Sequence, residues 1–316
     1  FIGTAFYNMV SGILRGMGDS VMPLVFLLVA CGINIALDLY FVQGLKWGVM
    51  GVAVATIIAQ GVSAALCLIR LFTMTDVIDI GLKYFKLDFK LVFQIVRVGL
   101  PSGMMQAIFS CATLVVQSLT NTFGEAIIAV TTVVMRVDGF AMMPNFTFGM
   151  AMTTFVGQNI GAGKWDRVNK SLKVGLTIGL STCATLVAAI LLFGRNLIGI
   201  FSSTPDVINN GNHMLNILAF GYISFCVTQI LMGIMRGAGD TVTPMVISAI
   251  TTVAIRVPVA YLLAFLTQSP ELPTGSPESI YWSLLISWVS GTILSVILYL
   301  KGGWKKKAES IGIYHD

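Results

Sequence analysis

Four charged residues fall inside long apolar runs, where a charge is expensive: Asp38, Arg136, Asp138 and Arg256. Asp38 sits within INIALDLYF. A carboxylate at the middle of a bilayer-spanning helix costs about 2.5–3.5 kcal/mol on insertion scales and by default marks a proton or ion path. Burial penalises its charged form, so such a group is suited to take up and release a proton. Asn34 lies four residues earlier, on the same helix face, and Thr56 lies on the next apolar run. The plainer reading is that Asp38 hydrogen-bonds its neighbours and stiffens the bundle.

Arg136 and Asp138 stand two apart in VMRVDGF, so they cannot face each other on a helix. Either Arg136 pairs across helices, or Asp138 faces a cavity and meets cationic compounds there. The stretch AMMPNFTFGMAMTTF (141–155) is rich in Met and Phe. With Met135, Asp138, Met142, Met143 and Phe146 it would make a soft wall, because Met adapts to many shapes and aromatic faces attract cations. Lipid-facing or core positions for these residues are the equal alternative. Pro144 within this run predicts a kink and a flex point. Gln106 and Gln117 are among the strongest polar side chains of the preceding run and are further cavity candidates. Arg256 precedes Pro258 in AIRVPVAY, which suits a packing or hinge role better than contact with a ligand.

The elements that must carry these residues are membrane helices. The chain has 316 residues, 56% hydrophobic and only 10% charged, with mean hydropathy +0.88. Soluble domains carry about 25% charged residues. Runs of about 20 apolar residues cross a bilayer. A shortened helix is expected at 1–14, and full spans near 21–42, 47–71, 94–121, 126–156, 171–201, 207–235, 242–267 and 279–300. Alternating sides along these spans puts 15 cations on one side, among them Arg15, Arg70, Lys164, Arg236 and Lys305, and only Lys46 and Arg195 on the other. That asymmetry makes the cation-rich side cytoplasmic. An all-α, multi-pass protein of the plasma or inner membrane is expected, as a monomer, with the lipid bilayer as its setting. Basic clusters interleaved with aromatics are missing, so nucleic acid is not an expected partner. The five cysteines are scattered singly and read as small apolar packing residues; with two histidines, a His-based metal site is not expected.

One stretch occurs twice. GILRGMGDSVMP (12–23) returns as GIMRGAGDTVTP (233–244), with 8 of 12 positions identical and an offset of 221 residues. The repeat predicts two equivalent halves, as in many secondary transporters. They are 1–71, the later part of a first six-helix lobe, and 94–301, a complete second lobe; 72–93 links them and 302–316 is a tail. On this reading about 130 residues precede the chain, which is then a fragment. Six spans per half turn both halves the same way. The linker TDVIDIGLKYFKLDFK reads as amphipathic and interfacial, and Pro101 falls near the start of the next helix. In the two RGxGD turns, Arg15 with Asp19 and Arg236 with Asp240 would bridge helix ends as a structural gate. GxGD is also a feature of intramembrane aspartyl proteases, but here each Asp follows an Arg at a helix end, and the motif is duplicated where catalysis needs one. GQNIGAGKWDR (157–167) lacks the Gly-Lys-Ser/Thr of a phosphate loop and reads as a tight turn between helices.

The duplicated RGxGDxxxP, INIALD followed by GVMGVAVATIIAQ, then GLPSG and GQNIGAGKWDR, in this order and spacing, resemble the multidrug and toxic compound extrusion (MATE) family. The resemblance covers the whole chain, from the fourth of twelve spans to the end. It implies export of amphipathic, often cationic compounds against inward H⁺ or Na⁺, by two lobes rocking around a central cavity, with no cofactor besides the coupling ion. Asn34, Asp38 and Thr56 match the buried first-lobe network of the family's proton-coupled branch, whose partner Asp belongs to a first span outside this chain. Some members hold a cation with a Glu on the seventh span and an Asp on the tenth; spans 94–121 and 207–235 carry no carboxylate here, which favours protons. A flippase for lipid or polysaccharide precursors, from the same superfamily, is the nearest alternative. It would want several cations in the cavity, for which only Arg136 and Arg256 are candidates.

Overall fold

The structure is a computed structural model that describes residues 2–74 and 88–312. Its regular elements are helical, apart from an isolated bridge between Ser269 and Leu272. In chain order they are α1 (Ile2–Gly16), α2 (Val21–Leu39), α3 (Gly48–Thr73), α4 (Phe89–Thr122), α5 (Glu125–Gly161), α6 (Trp165–Gly199), α7 (Pro205–Gly237), α8 (Val242–Ala249), α9 (Val257–Leu266), α10 (Ser279–Leu300) and α11 (Gly303–Gly312). Two π-helical stretches, Tyr40–Gly44 and Ile250–Arg256, continue α2 and join α8 to α9. Eight of the described helical segments are long and apolar enough to cross a membrane, and the protein is a polytopic all-α membrane protein.

Each predicted full span corresponds to one of these segments. The expected linker 72–93 falls largely on residues 75–87, outside the described residues. Beyond it the helix resumes at Phe89, earlier than the apolar run at 94 suggested. Pro101 therefore lies inside α4 rather than near its start, and it offers no N–H to the carbonyl of Arg97. The polar stretch FKLVFQIVR is compatible with a helix, and the apolar criterion alone missed its first turn.

The chain forms two compact units, residues 1–88 and 89–316. In the first, Tyr7, Val10 and Leu14 of α1 pack on Ala64 and Cys67 of α3. Tyr7 Oη donates to the carbonyl of Pro23 at 3.1 Å, which ties α1 to α2. In the second, α7 is the central helix and is buried along most of its length. Val134, Leu215, Leu218, Tyr222 and Trp288 form one core cluster; Val156, Ile230, Ile234, Met235 and Trp304 form another. Three glycines of α7 let its neighbours approach. A Cβ on Gly221 would meet the Trp288 ring, one on Gly233 the Gly149 carbonyl, and one on Gly237 the Thr153 carbonyl at 2.6 Å.

The repeated motif builds the same turn twice. Gly18 donates to Arg15 O at 3.0 Å and Asp19 to Leu14 O at 2.9 Å; Gly239 donates to Arg236 O at 2.9 Å and Asp240 to Met235 O at 2.9 Å. These are the paired bonds of a Schellman helix end, which needs a left-handed residue at its turn. Gly18 (φ +98°) and Gly239 (φ +79°) supply it. The turn at Gly163 between α5 and α6 has the same bonds, from Gly163 to Ile160 O and from Lys164 to Asn159 O. Thr204 precedes α7 with Pro205 in the first turn, as its sequence suggests, although the Thr204 hydroxyl makes no capping bond.

Candidate functional site

Met135, Asp138, Met142 and Phe146 recur on α5 at intervals of three and four, so they share one face of the helix. That face, with Met143, forms a wall of a cavity within the second unit, of about 390 Å³. Gln117 and Phe109 of α4 and Leu218, Ile280, Tyr281 and Trp288 complete it. A smaller chamber of about 130 Å³ is lined by Gln106, Phe225, Gln229, Ser248 and Thr252 among others. Both chambers touch Phe109, Phe146, Arg256, Leu284 and Trp288, so they adjoin. All seven cavity candidates from the sequence, Gln106, Gln117, Met135, Asp138, Met142, Met143 and Phe146, line one chamber or both.

The walls are largely aromatic. The Phe146 and Phe225 rings meet edge to face at 5.5 Å, Phe225 lies 5.4 Å from Trp288, and Tyr222 lies 5.5 Å from Trp288. Such faces can hold a desolvated cation. The polar groups are few and specific. Tyr222 Oη donates to Asp138 Oδ1 at 2.7 Å, and Tyr281 Oη stands 3.1 Å from Thr131 Oγ1. The Arg256 side chain ends the π-helical stretch Ile250–Arg256; the residue is 8% exposed, and its Nε makes no hydrogen bond. Arg256 and Asp138 attract one another electrostatically. Arg136 points elsewhere, with its guanidinium 5.9 Å from the Phe201 ring centre. Pro144 lies within α5, which runs unbroken through it.

In the first unit, Asn34 and Asp38 lie on α2, half-buried. Asn34 Nδ2 and Asp38 Oδ1 are enclosed without hydrogen-bond partners. Thr56 is exposed on α3, and its hydroxyl donates to the Val52 carbonyl of its own helix at 2.9 Å. The structure does not join these three residues by hydrogen bonds.

At the RGxGD turns the ion pairs differ from those expected within each motif. Asp19 Oδ2 accepts from Arg70 Nε at 2.9 Å, while Arg15 Nη2 donates to Ser11 Oγ at 3.2 Å. Asp240 Oδ1 accepts from Lys307 Nζ at 2.6 Å, while Arg236 reaches along α7 to Gly149 of α5. The reason is local. The Schellman turn points each Asp forward onto the next helix, where Asp19 accepts the Met22 N–H and Asp240 the Thr243 N–H, each at 3.1 Å. The cations in reach are then those at the end of α3 and on α11. The Met22 N–H, with help from Arg70, holds the Asp19 carboxyl below its usual range against a smaller effect of burial. Burial pushes Asp240 up, but Lys307 and Thr243 together outweigh it and leave the carboxyl below that range. Such charged helix caps are poor candidates for a proteolytic acid pair, in which one carboxyl must hold a proton.

Sequence reasoning missed Tyr222, Phe225, Tyr281 and Trp288 as wall residues and placed Arg256 with the packing residues. Arg256 could have been found from the cost of its charge inside an apolar run. The aromatics carried no such signal, since an aromatic in an apolar helix is ordinarily core.

A family model described as MatE matches residues 101–262. The probable multidrug resistance protein YoeA of Bacillus subtilis is 28% identical over 303 residues, covering 93% of this chain and 64% of its own length. The probable multidrug resistance protein NorM of Thermotoga maritima is 27% identical over 318 residues, covering 97% and 66%. A crystal structure of MATE in the bent conformation superposes with TM-score 0.86 at 24% identity, over 96% of this chain and 67% of that one. The outward-facing conformation of a multidrug resistance MATE family transporter of the MOP superfamily gives TM-score 0.85 at 24% identity, over 95% and 66%. These superpositions speak for the fold. The chain spans about two thirds of the length of the curated relatives it matches, 64% for the first.

Proposed function

Because this chain belongs to the MatE family, we propose that its gene product is a secondary active exporter of amphipathic, often cationic compounds, driven by inward H⁺ or Na⁺ through alternating access. The observation that carries this reading is Asp138. A carboxylate stands on the wall of a chamber otherwise built from Met and aromatic side chains. Soft apolar walls accept many shapes, and one buried negative charge selects for cations. The relatives' names, as multidrug resistance proteins, agree with it.

Asp38 is our candidate for the proton-carrying group, with Asn34 and Thr56 beside it in the sequence pattern. An enclosed carboxylate oxygen without a partner supports this. The RGxGD turns, with Arg15, Asp19, Arg236 and Asp240, are taken as gate elements on the cytoplasmic side, as the cation asymmetry suggests.

Expressed from its gene in cells stripped of their own efflux pumps, the protein should raise resistance to lipophilic cations several-fold. Asp138→Asn should remove most of that gain while leaving the protein in the membrane. Unchanged resistance with the unmodified protein would refute export. Arg256 on both chamber walls favours a second reading, a flippase for a phosphate-linked lipid. Movement of such a lipid in vesicles, without drug export, would decide for it.

A further inference from the structure

Arg256 is not accounted for by cation export. A guanidinium this deeply buried is normally matched by a carboxylate, because the cost of removing its water is several kcal/mol. Arg256 is only 8% exposed, and its Nε has no partner. Asp138 attracts it, but no ion pair within 4.0 Å joins the two, and one oxygen of Asp138 is taken by Tyr222. The two chambers also differ in sign. Asp138 lines the larger one. The wall of the smaller one has no acid, and Gln106, Gln229, Ser248 and Thr252 offer neutral donors beside Arg256. Where the chambers meet, Phe109, Phe146 and Trp288 form an apolar waist.

We propose that Arg256 seats the anionic end of a zwitterionic amphiphile, whose cationic end meets Asp138 and whose apolar body fills the waist. This rests on the exporter reading and narrows its substrate class. The shared chemistry is a carboxylate or phosphate oxygen accepting from the guanidinium, which suits either anion as a planar donor fork. The carboxylate would come from a small amphipathic amino acid-like compound, and the phosphate from a phosphocholine headgroup.

The test measures binding to the purified full-length gene product in lipid nanodiscs. Three matched probes are an aromatic amino carboxylate, its methyl ester, and an alkylphosphocholine of similar length. The unmodified protein should bind at least one zwitterion more tightly than the ester. Arg256→Gln should weaken that zwitterion by about tenfold or more and leave the ester within about twofold, since losing a partner of a buried charge pair is costly. Arg256→Lys should recover part of the loss. Asp138→Asn should weaken zwitterion and ester alike. The zwitterion that Arg256→Gln affects more identifies the anion. Equal losses for ester and zwitterion, or no loss for either, would make Arg256 a structural charge and overturn the proposal. If Arg256→Gln does not fold, the unmodified protein decides alone: preference for the ester refutes the inference. Export of the ester with rejection of both zwitterions sinks this inference and leaves the exporter reading intact. Failure to bind any probe overturns both.

Discussion

Tyr222 of α7 donates its phenolic hydrogen to Asp138 of α5 at 2.7 Å, across 84 residues of chain. The bond fixes the carboxylate on the chamber wall and gives one oxygen a partner, leaving the other for a ligand. A hydrogen bond to a charged group contributes about 1.5–3 kcal/mol. Tyr222→Phe should therefore lower the thermal midpoint of the detergent-solubilised protein by several degrees. It should also change cation affinity, because Asp138 then turns to whatever donor remains. Unchanged binding and an unchanged midpoint would show that the bond is idle.

Asp240 provides a pH prediction with a definite sign. Burial raises its carboxyl, the Lys307 ammonium and the Thr243 groups lower it more, and the net result lies below the usual range. A carboxyl held low in the folded state stabilises fully above its unfolded value of about 4, and that stabilisation is lost as pH falls through the folded value. Thermal unfolding below about pH 4 should thus show a loss that Asp240→Asn no longer shows, its midpoint being lower at neutral pH from the start. Asp19 obeys the same sign, but its pair with Arg70 is more open: 12% exposure of the Asp19 side chain against 2% for Asp240. Asp19→Asn should cost less, because solvent screens the pair.

The close approach of α5 to α7 predicts which glycines resist change. A Cβ at Gly233 would strike the Gly149 carbonyl, and one at Gly237 would lie 2.6 Å from the Thr153 carbonyl, both rigid backbone. Gly233→Ala and Gly237→Ala should each cost about 1–3 kcal/mol, as overpacking does. Gly103→Ala, in α4, has nothing within 4 Å of its Cβ and should be neutral or stabilising by up to about 1 kcal/mol. Midpoints of the three variants in one detergent would check the order.

The coupling assignment separates Asp38 from Thr56. The Thr56 hydroxyl already donates to Val52, so Thr56→Ala should alter proton-driven efflux by less than about threefold. Asp38→Asn should abolish it, since the amide cannot carry the proton. Efflux into a pH-clamped medium, with a fluorescent cation, reads both. Intact transport in Asp38→Asn would remove the residue from the ion path.

The spans were legible because a bilayer demands about 20 apolar residues in a row, and few other structures do. The chamber face of α5 was legible for a related reason: Asp138, Met142 and Phe146 repeat at four-residue steps around a charge that an apolar helix must justify. The residues of α7 and α10 opposite them were not. Tyr222, Phe225 and Trp288 are set against α5 by helix packing, and nothing in their spacing distinguishes a wall from a core. The RGxGD turns were read correctly as turns, because their glycines serve a local geometry. Their ion pairs were misjudged, because the partners Arg70 and Lys307 come from elsewhere in the chain.

The π-helical stretch Ile250–Arg256 makes the aim of Arg256 a matter of winding. A wide turn takes in more residues than an α-turn, so a single deletion within 250–253 would let the segment tighten into ordinary helix. Everything past the deletion would then swivel by about 100° relative to the part before it. The guanidinium would leave the chambers without any change of its own identity. Charge selectivity in this protein could therefore be rewritten by trimming one apolar letter, and membrane insertion would scarcely register the edit.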